Sequence, residues 1–250
     1  MIEFVPGVKP KDRSRARLFA EDYYHLSRAV NFSNYAGAQF PMYGNNLIGD
    51  CTFAGLAHLF GAWTYYAQGQ EVIFNDLDIV RGYSAVSGYD PITRANDNGC
   101  TLEEVLRYGR TVGLRDPNGL RMHRLDAYAE IRNLTYAGLS EALSLFGGVY
   151  IAVDLPASAV TQFNAGEPWE FVPGSPSLGG HCITLQQVHG GKDSLGFTTW
   201  GKVQPASREW VYHYVTEAWA AYSREFLIAT TGLSPSGLDE TRLINDMQGL

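Results

Sequence analysis

Three cysteines in 250 residues, Cys51, Cys100 and Cys182, are too few and too far apart for a disulfide framework. None stands in the paired Cys-x-x-Cys spacing of a structural zinc site or a thioredoxin-type motif. The odd number fits a reducing compartment and leaves a free thiol available for chemistry. Basic charge is also short: 19 Lys and Arg against 26 Asp and Glu give a formal charge of −7, with no basic stripe interleaved with aromatics. Nucleic acid is therefore not an expected partner. Nowhere do about 18 uninterrupted apolar residues accumulate, and residues 1–17 carry Pro6, Pro10 and several charges instead of the apolar stretch of a secretory signal. The expectation is a soluble chain, cytoplasmic as synthesised, without a signal peptide or a membrane partner. Repeats and low-complexity runs are missing too, and no cofactor or metal is called for.

The remaining composition, 45% apolar and 13% aromatic, is enough to close a substantial core, and one domain of two lobes is expected. Residues 15–29 read as helical, followed by a Gly/Asn/Pro-rich loop that ends at Gly49. From there Phe53, Leu56, Ala57, Phe60 and Trp63 recur at steps of three and four, with Asp50 as N-cap, so Cys51 falls at the first position of a helix. A second helix is expected after Asn75, using Leu77, Ile79, Val80 and Tyr83. A third begins with a Thr101/Glu104 capping box and stops at Gly113, and a fourth covers 139–146 before Gly147-Gly148. The chain then turns to alternating, β-branched segments at 149–155, 181–188, 195–200 and 226–230, with one more helix at 211–222. The tail from Ser234 is short and polar and reads as a docking segment. Helices carrying the cysteine come first and a mostly antiparallel sheet carrying His181 follows, an α+β arrangement.

A thiol attacks acyl carbons as its thiolate, which a helix N-terminus and a nearby imidazolium both favour. Cys51 has the first by position, and the unpaired N–H groups of the same opening turn can hold an oxyanion. The adjacent Asp50 carboxylate opposes the thiolate unless it points away or is compensated. Read alone, Cys51 is equally a small buried core residue. His181 follows Gly179-Gly180 at the start of a strand, where the glycines leave room for an imidazole at a sheet end; read alone, it is a histidine ending a strand. A metal site from Cys51, His181 and Cys182 is disfavoured, because neighbours on a strand face opposite sides. His58 lies on the Cys51 face of the helix but two turns along it. His25, His123, His189 and His213 suggest nothing.

Taken in order, the segments Gly49-Asp50-Cys51-Thr52-Phe53-Ala54, Gly179-Gly180-His181-Cys182-Ile183 and Thr198-Thr199-Trp200-Gly201 resemble papain-like cysteine peptidases. In that family a glutamine six residues before the nucleophile lines the oxyanion hole; here Asn45 has that spacing and also carries an amide donor. The family's third residue, an asparagine two before the tryptophan, orients the histidine; Thr198 has that position here, with a hydroxyl that accepts on a shorter stem. Trp200 would shield the pair from water. More narrowly, Met42-Tyr43-Gly44-Asn45-Asn46, Ser87-Gly88-Tyr89-Asp90 and the Thr-Trp-Gly version of the third motif resemble papain-like proteins of bacteriophages and bacteria, over about residues 41–232.

The resemblance implies a two-lobed papain-like fold, with an N-terminal extension at 1–40, a helical lobe at about 41–146 carrying the cysteine, a β lobe at about 147–232 carrying the histidine, and a tail at 233–250. It implies a thiol hydrolase cleaving amide bonds of a peptide or protein, with Cys51 and His181 as nucleophile and base, and Asn45 and Thr198 in support. A phage-encoded, virion-associated member would have other virion proteins as partners. Two alternatives stay open: a catalytically silent papain-fold component, structural or adhesive, of a phage particle, and a ligase-like acyl transfer to an amine.

Overall fold

The computed structural model describes residues 1–11, 17–26, 37–189, 194–228 and 240–249. The helical signal after Gly49 folds as α1 (Cys51–Gln68), whose residues from Cys51 to Thr64 are all buried, so this helix is the axis of the core and not a surface element. Gly55 lets it lie close to the sheet: a Cβ there would come within 2.9 Å of the Tyr150 ring and 3.0 Å of Cys182 Sγ. The Tyr150 hydroxyl donates to the Thr52 carbonyl at 2.6 Å and fixes the first turn in place. Against α1 pack α2 (Asp76–Ser87) and α3 (Leu102–Thr111). The expected capping box opens α3, with Glu104 N–H donating to Thr101 Oγ1 and the Glu104 carboxylate accepting from Thr101 N–H.

A short ribbon, β1 (Leu114–Arg115) with β2 (Met122–His123), leads to β3 (Ala127–Ile131), which the sequence reading did not anticipate. Then come α4 (Tyr136–Phe146), β4 (Val149–Pro156), the unanticipated α5 (Ala157–Ala165), β5 (Ser177–His189), β6 (Ser194–Thr199) and β7 (Lys202–Ser207). The helix expected at 211–222 is corrected: α6 (Arg208–Tyr214) is short, and β8 (Val215–Tyr222) is a strand. Its alanines suit a helix, but Ala218 to Tyr222 are buried between β3 and β4, and pairing on both edges overrides the local preference. Residues 224–226 form a 3-10 turn rather than the start of a strand, and 229–230 lie outside the described residues. Part of the helix expected at 15–29 is a 3-10 segment, Ala20–Leu26, and much of the rest lies outside the described residues.

Six strands form one antiparallel sheet in the order β3-β8-β4-β5-β6-β7. Helix α1 lies on it, with its N-terminus over β5. The C-terminal helix α7 (Glu240–Gln248) docks on β3 through buried Leu243 and Met247, with Tyr23 donating to Asp246 at 2.8 Å.

Candidate active site

Cys51 begins α1, and its sulfur lies against β5: the Cys182 N–H donates to Cys51 Sγ at 3.3 Å. The thiol of the helical part therefore meets the backbone next to His181. Asp50 holds the N-cap position through its carbonyl, which accepts from Phe53 and Ala54 N–H at 2.8 and 3.0 Å. Its side chain makes no cap bond and is fully buried, contrary to the expected capping. Burial, and then the Asp97 charge, hold this carboxyl well above the usual range. The conflict the sequence posed is not removed, because after burial the Asp50 charge is among the causes that raise the Cys51 thiol.

His181 is fully buried on β5. Its Nε2 is 2.8 Å from Thr199 Oγ1, and Trp200 stacks on the ring at 4.6 Å and 22°. Trp200 reaches this position at φ 45°, in the left-handed region, as the chain leaves β6. Thr198, expected to orient the histidine, has its hydroxyl engaged elsewhere: Thr198 Oγ1 donates to Gln186 Oε1 at 2.6 Å, and Gln186 Nε2 donates to the His58 carbonyl at 3.0 Å. That network ties α1 to the sheet. The reason is strand parity. Thr198 pairs with Thr184 of β5, and its neighbour Thr199 faces the side occupied by His181. With Nε2 engaged by Thr199, His181 Nδ1 is the ring nitrogen left without a partner.

A segment that the sequence reading took only as part of an N-terminal extension covers this site. Residues 1–11 run over the site as a strap whose stretch 4–9 crosses the sulfur, held on both sides: Gly7 and Val8 N–H donate to the Gly180 carbonyl at 3.1 and 3.2 Å, Cys100 N–H donates to the Gly7 carbonyl at 3.0 Å, and Lys9 N–H donates to the Cys100 carbonyl at 2.9 Å. Directly over the thiol stands Gly7; a Cβ there would lie 2.5 Å from both Cys51 Sγ and the Gly49 carbonyl. Phe4 meets the edge of the His181 ring at 5.4 Å. At the end of the strap, Ile2 N–H donates to Asn164 Oδ1 at 2.7 Å.

Beneath the strap, thiol and imidazole are both held neutral. Burial pushes the Cys51 thiol far up, against the opposing pull of the Cys182 N–H, and burial pushes the His181 imidazole down to about 3. No hydrogen bond joins the two side chains in this state, since Nδ1 has no partner. Asn45 is buried in the turn ahead of α1, its N–H donating to the Met42 carbonyl and its Oδ1 without a hydrogen-bond partner. His58 is anchored through Nε2 to the Pro41 carbonyl at 2.8 Å. Among the described residues no cluster of His, Cys, Asp or Glu is arranged to hold a metal ion, and no helix is long and apolar enough to cross a membrane.

Two parts of the site were missed by sequence reasoning. Thr199 becomes visible only once the β5–β6 register is known, because the motif spacing points one residue earlier. For the strap, the signal is Pro6-Gly7 after Phe4, which marks an extended stretch that cannot join a helix, but nothing local says what it covers.

No protein-family model and no curated protein sequence matches the chain. Solved structures do match. Xylellain, a cysteine protease from Xylella fastidiosa, aligns with a TM-score of 0.62 at 12% identity, over 89% of this chain and 96% of its own. Digestive procathepsin L 3 of the Tenebrio molitor larval midgut aligns at 0.55 and 12%, over 80% and 77%. The bromelain protease from Ananas comosus, in complex with the E64 inhibitor, aligns at 0.53 and 12%, over 78% and 99%. At these identities the likeness is one of fold. The helical part and the antiparallel sheet have the papain-like cysteine-protease arrangement expected from the sequence.

Proposed function

We propose that this chain is a cysteine peptidase of the papain type, kept latent by its own N-terminal strap. The observation that carries the reading is the meeting of a thiol at the opening of a buried helix with the backbone of the strand bearing an imidazole, under a segment that passes the sulfur at a glycine. When the strap lifts, water reaches both groups and their burial penalties fall. His181, with Nε2 held by Thr199, takes the Cys51 proton on Nδ1. The thiolate attacks an amide carbonyl, with the Cys51 N–H and the Asn45 side chain as oxyanion donors. The imidazolium returns its proton to the leaving amine, and water attacks the thioester with His181 again as base. Water thus ends the cycle and the thiol is restored.

Latency has support in the strap's own bonding. The Gly7 carbonyl is held by Cys100, so it is not the carbonyl presented to the sulfur, and the strap covers the thiol without serving as its substrate. Among similar folds is a procathepsin, a precursor form by its name.

A second reading, a catalytically silent papain-fold component of a phage particle, draws on one observation: thiol and imidazole are both fully buried and neutral. The two part on one experiment. A chain lacking residues 1–11 is incubated with a pool of unstructured peptides, and cleavage is read by mass spectrometry. The peptidase reading predicts cleavage that Cys51→Ala abolishes without loss of folding. No cleavage by the shortened, folded chain would favour the silent component.

A further inference from the structure

Beside the covered thiol lies a cavity of about 300 Å³ between the strap and strands β4, β5 and β8. Its wall includes Gly180, next to His181, and Val153, the cross-strand partner of His181, so any side chain lodged there belongs to a residue close to the attacked bond. The ionisable groups of the strands lining it are both acids, Asp154 and Glu217, while its bases, Lys9 and Lys11, arrive on the strap. Glu217 is only 6% exposed. Its Oε1 accepts from Trp219 Nε1 at 2.6 Å, which fixes the carboxylate. Burial raises the Glu217 carboxyl, opposed by the Trp219 hydrogen bond and then by the charge of Lys11, which is itself ion-paired with Glu130. Behind these acids stands Arg17, engaged with Glu103 and Glu130. Lifting the strap withdraws Lys9 and Lys11 and leaves the pocket acidic.

Resting on the peptidase reading, we propose that this cavity selects a basic side chain near the cleaved bond of peptide substrates, with Glu217 as the buried acceptor and Asp154 as the rim charge. A fixed carboxylate in a partly dry pocket rewards a guanidinium that hydrogen-bonds to it and leaves a neutral isostere with an unpaired acid. The strap's two lysines show the pocket roofed by the same charge it would take from a substrate.

The test uses the full chain and matched peptidyl chloromethyl ketones, which alkylate the thiol with loss of chloride and differ in one side chain: arginine, its neutral isostere citrulline, leucine and glutamate. The rate of Cys51 modification by each is divided by the rate with iodoacetamide, which has no side chain to select. The expected result is arginine over citrulline by about tenfold, about 1.4 kcal/mol, with the preference lost in Glu217→Gln and reduced in Asp154→Asn. The exposed Asp154 variant keeps the test valid if the buried Glu217 variant fails to fold. Equal arginine and citrulline rates, a preference unchanged in both variants, or no reaction with any peptidyl ketone while iodoacetamide still labels Cys51 would each overturn the subsite. Failure of iodoacetamide to reach Cys51 even in the chain lacking residues 1–11 would instead defeat the peptidase reading, and the subsite with it.

Discussion

Replacing Gly7 with alanine should make Cys51 more reactive, although it adds atoms over the sulfur. The new Cβ would stand 2.5 Å from Cys51 Sγ and from the Gly49 carbonyl, against ordinary contact at about 3.5 to 4 Å. Both obstacles are rooted in the core, one on the first residue of a buried helix and the other on backbone, so relief must come from the strap moving out by about 1 Å. That movement strains the bonds from Gly7 to Gly180 and from Cys100 to Gly7. Overpacking of this kind costs about 1–3 kcal/mol. The released alanine chain is stiffer than the glycine chain, which offsets about 0.4–1 kcal/mol. Gly7 does not sit in the left-handed region, so backbone strain adds nothing. The net favours strap release by about 1.5 kcal/mol, roughly a tenfold larger open fraction. Pseudo-first-order alkylation of Cys51 by iodoacetamide reads that fraction directly. The buried Cys182, resolved by peptide mapping, serves as the internal control, since Cys100 is bonded to the strap itself. An unchanged or slower rate at Cys51 in a folded Gly7→Ala protein would refute the strap as a displaceable cover.

Other expectations follow from the same geometry. Thr199→Val removes the Nε2 partner of His181 and should lower kcat/KM of the strap-free chain by about tenfold, roughly 1.4 kcal/mol, with a shifted pH profile; an unchanged profile would deny Thr199 its orienting role. Thr198→Val breaks the Gln186 bridge and should cost about 1–3 kcal/mol of stability in urea unfolding with the pH profile intact. The imidazole of His181, held down to about 3 in the native chain, refuses a proton that the unfolded chain accepts below about 6.5. Stability present above that pH is therefore lost on acidification towards 3, and His181→Gln should remove one proton from the slope of unfolding free energy in this window. An identical slope would show that His181 is not buried neutral. Asp50 acts with the opposite sign: its raised native value gives stability fully present below the usual carboxylate range and lost as pH rises through the native value, so Asp50→Asn should gain on the wild type with increasing pH.

The sequence is most informative where local rules and tertiary demands agree. The helix opening at Cys51 is legible because its apolar steps and the loop before it give one answer, and the capping box of α3 is legible because it is a purely local device. β8 is illegible because its alanines, helix formers by local preference, serve a strand enclosed on both edges. The place of the imidazole is readable from Gly179-Gly180 ahead of an apolar strand. Its partner is not, because choosing Thr199 over Thr198 depends on a register between two strands that no spacing motif encodes. For the strap, the long-range bonds to Gly180 and Cys100 leave no periodic trace in a short extended segment. Asp50 reads as a capping side chain and turns out to be a buried one without a cap bond, since the cap role is met by its carbonyl.

The most direct measurement is the pH dependence of Cys51 alkylation in the chain lacking residues 1–11. A thiolate supported by His181 and the helix N-terminus predicts an inflection well below the free-thiol value of about 8.5, moving up towards it in His181→Ala. An inflection at or above 8.5 that ignores the His181 replacement would contradict the pairing on which the proposed chemistry stands.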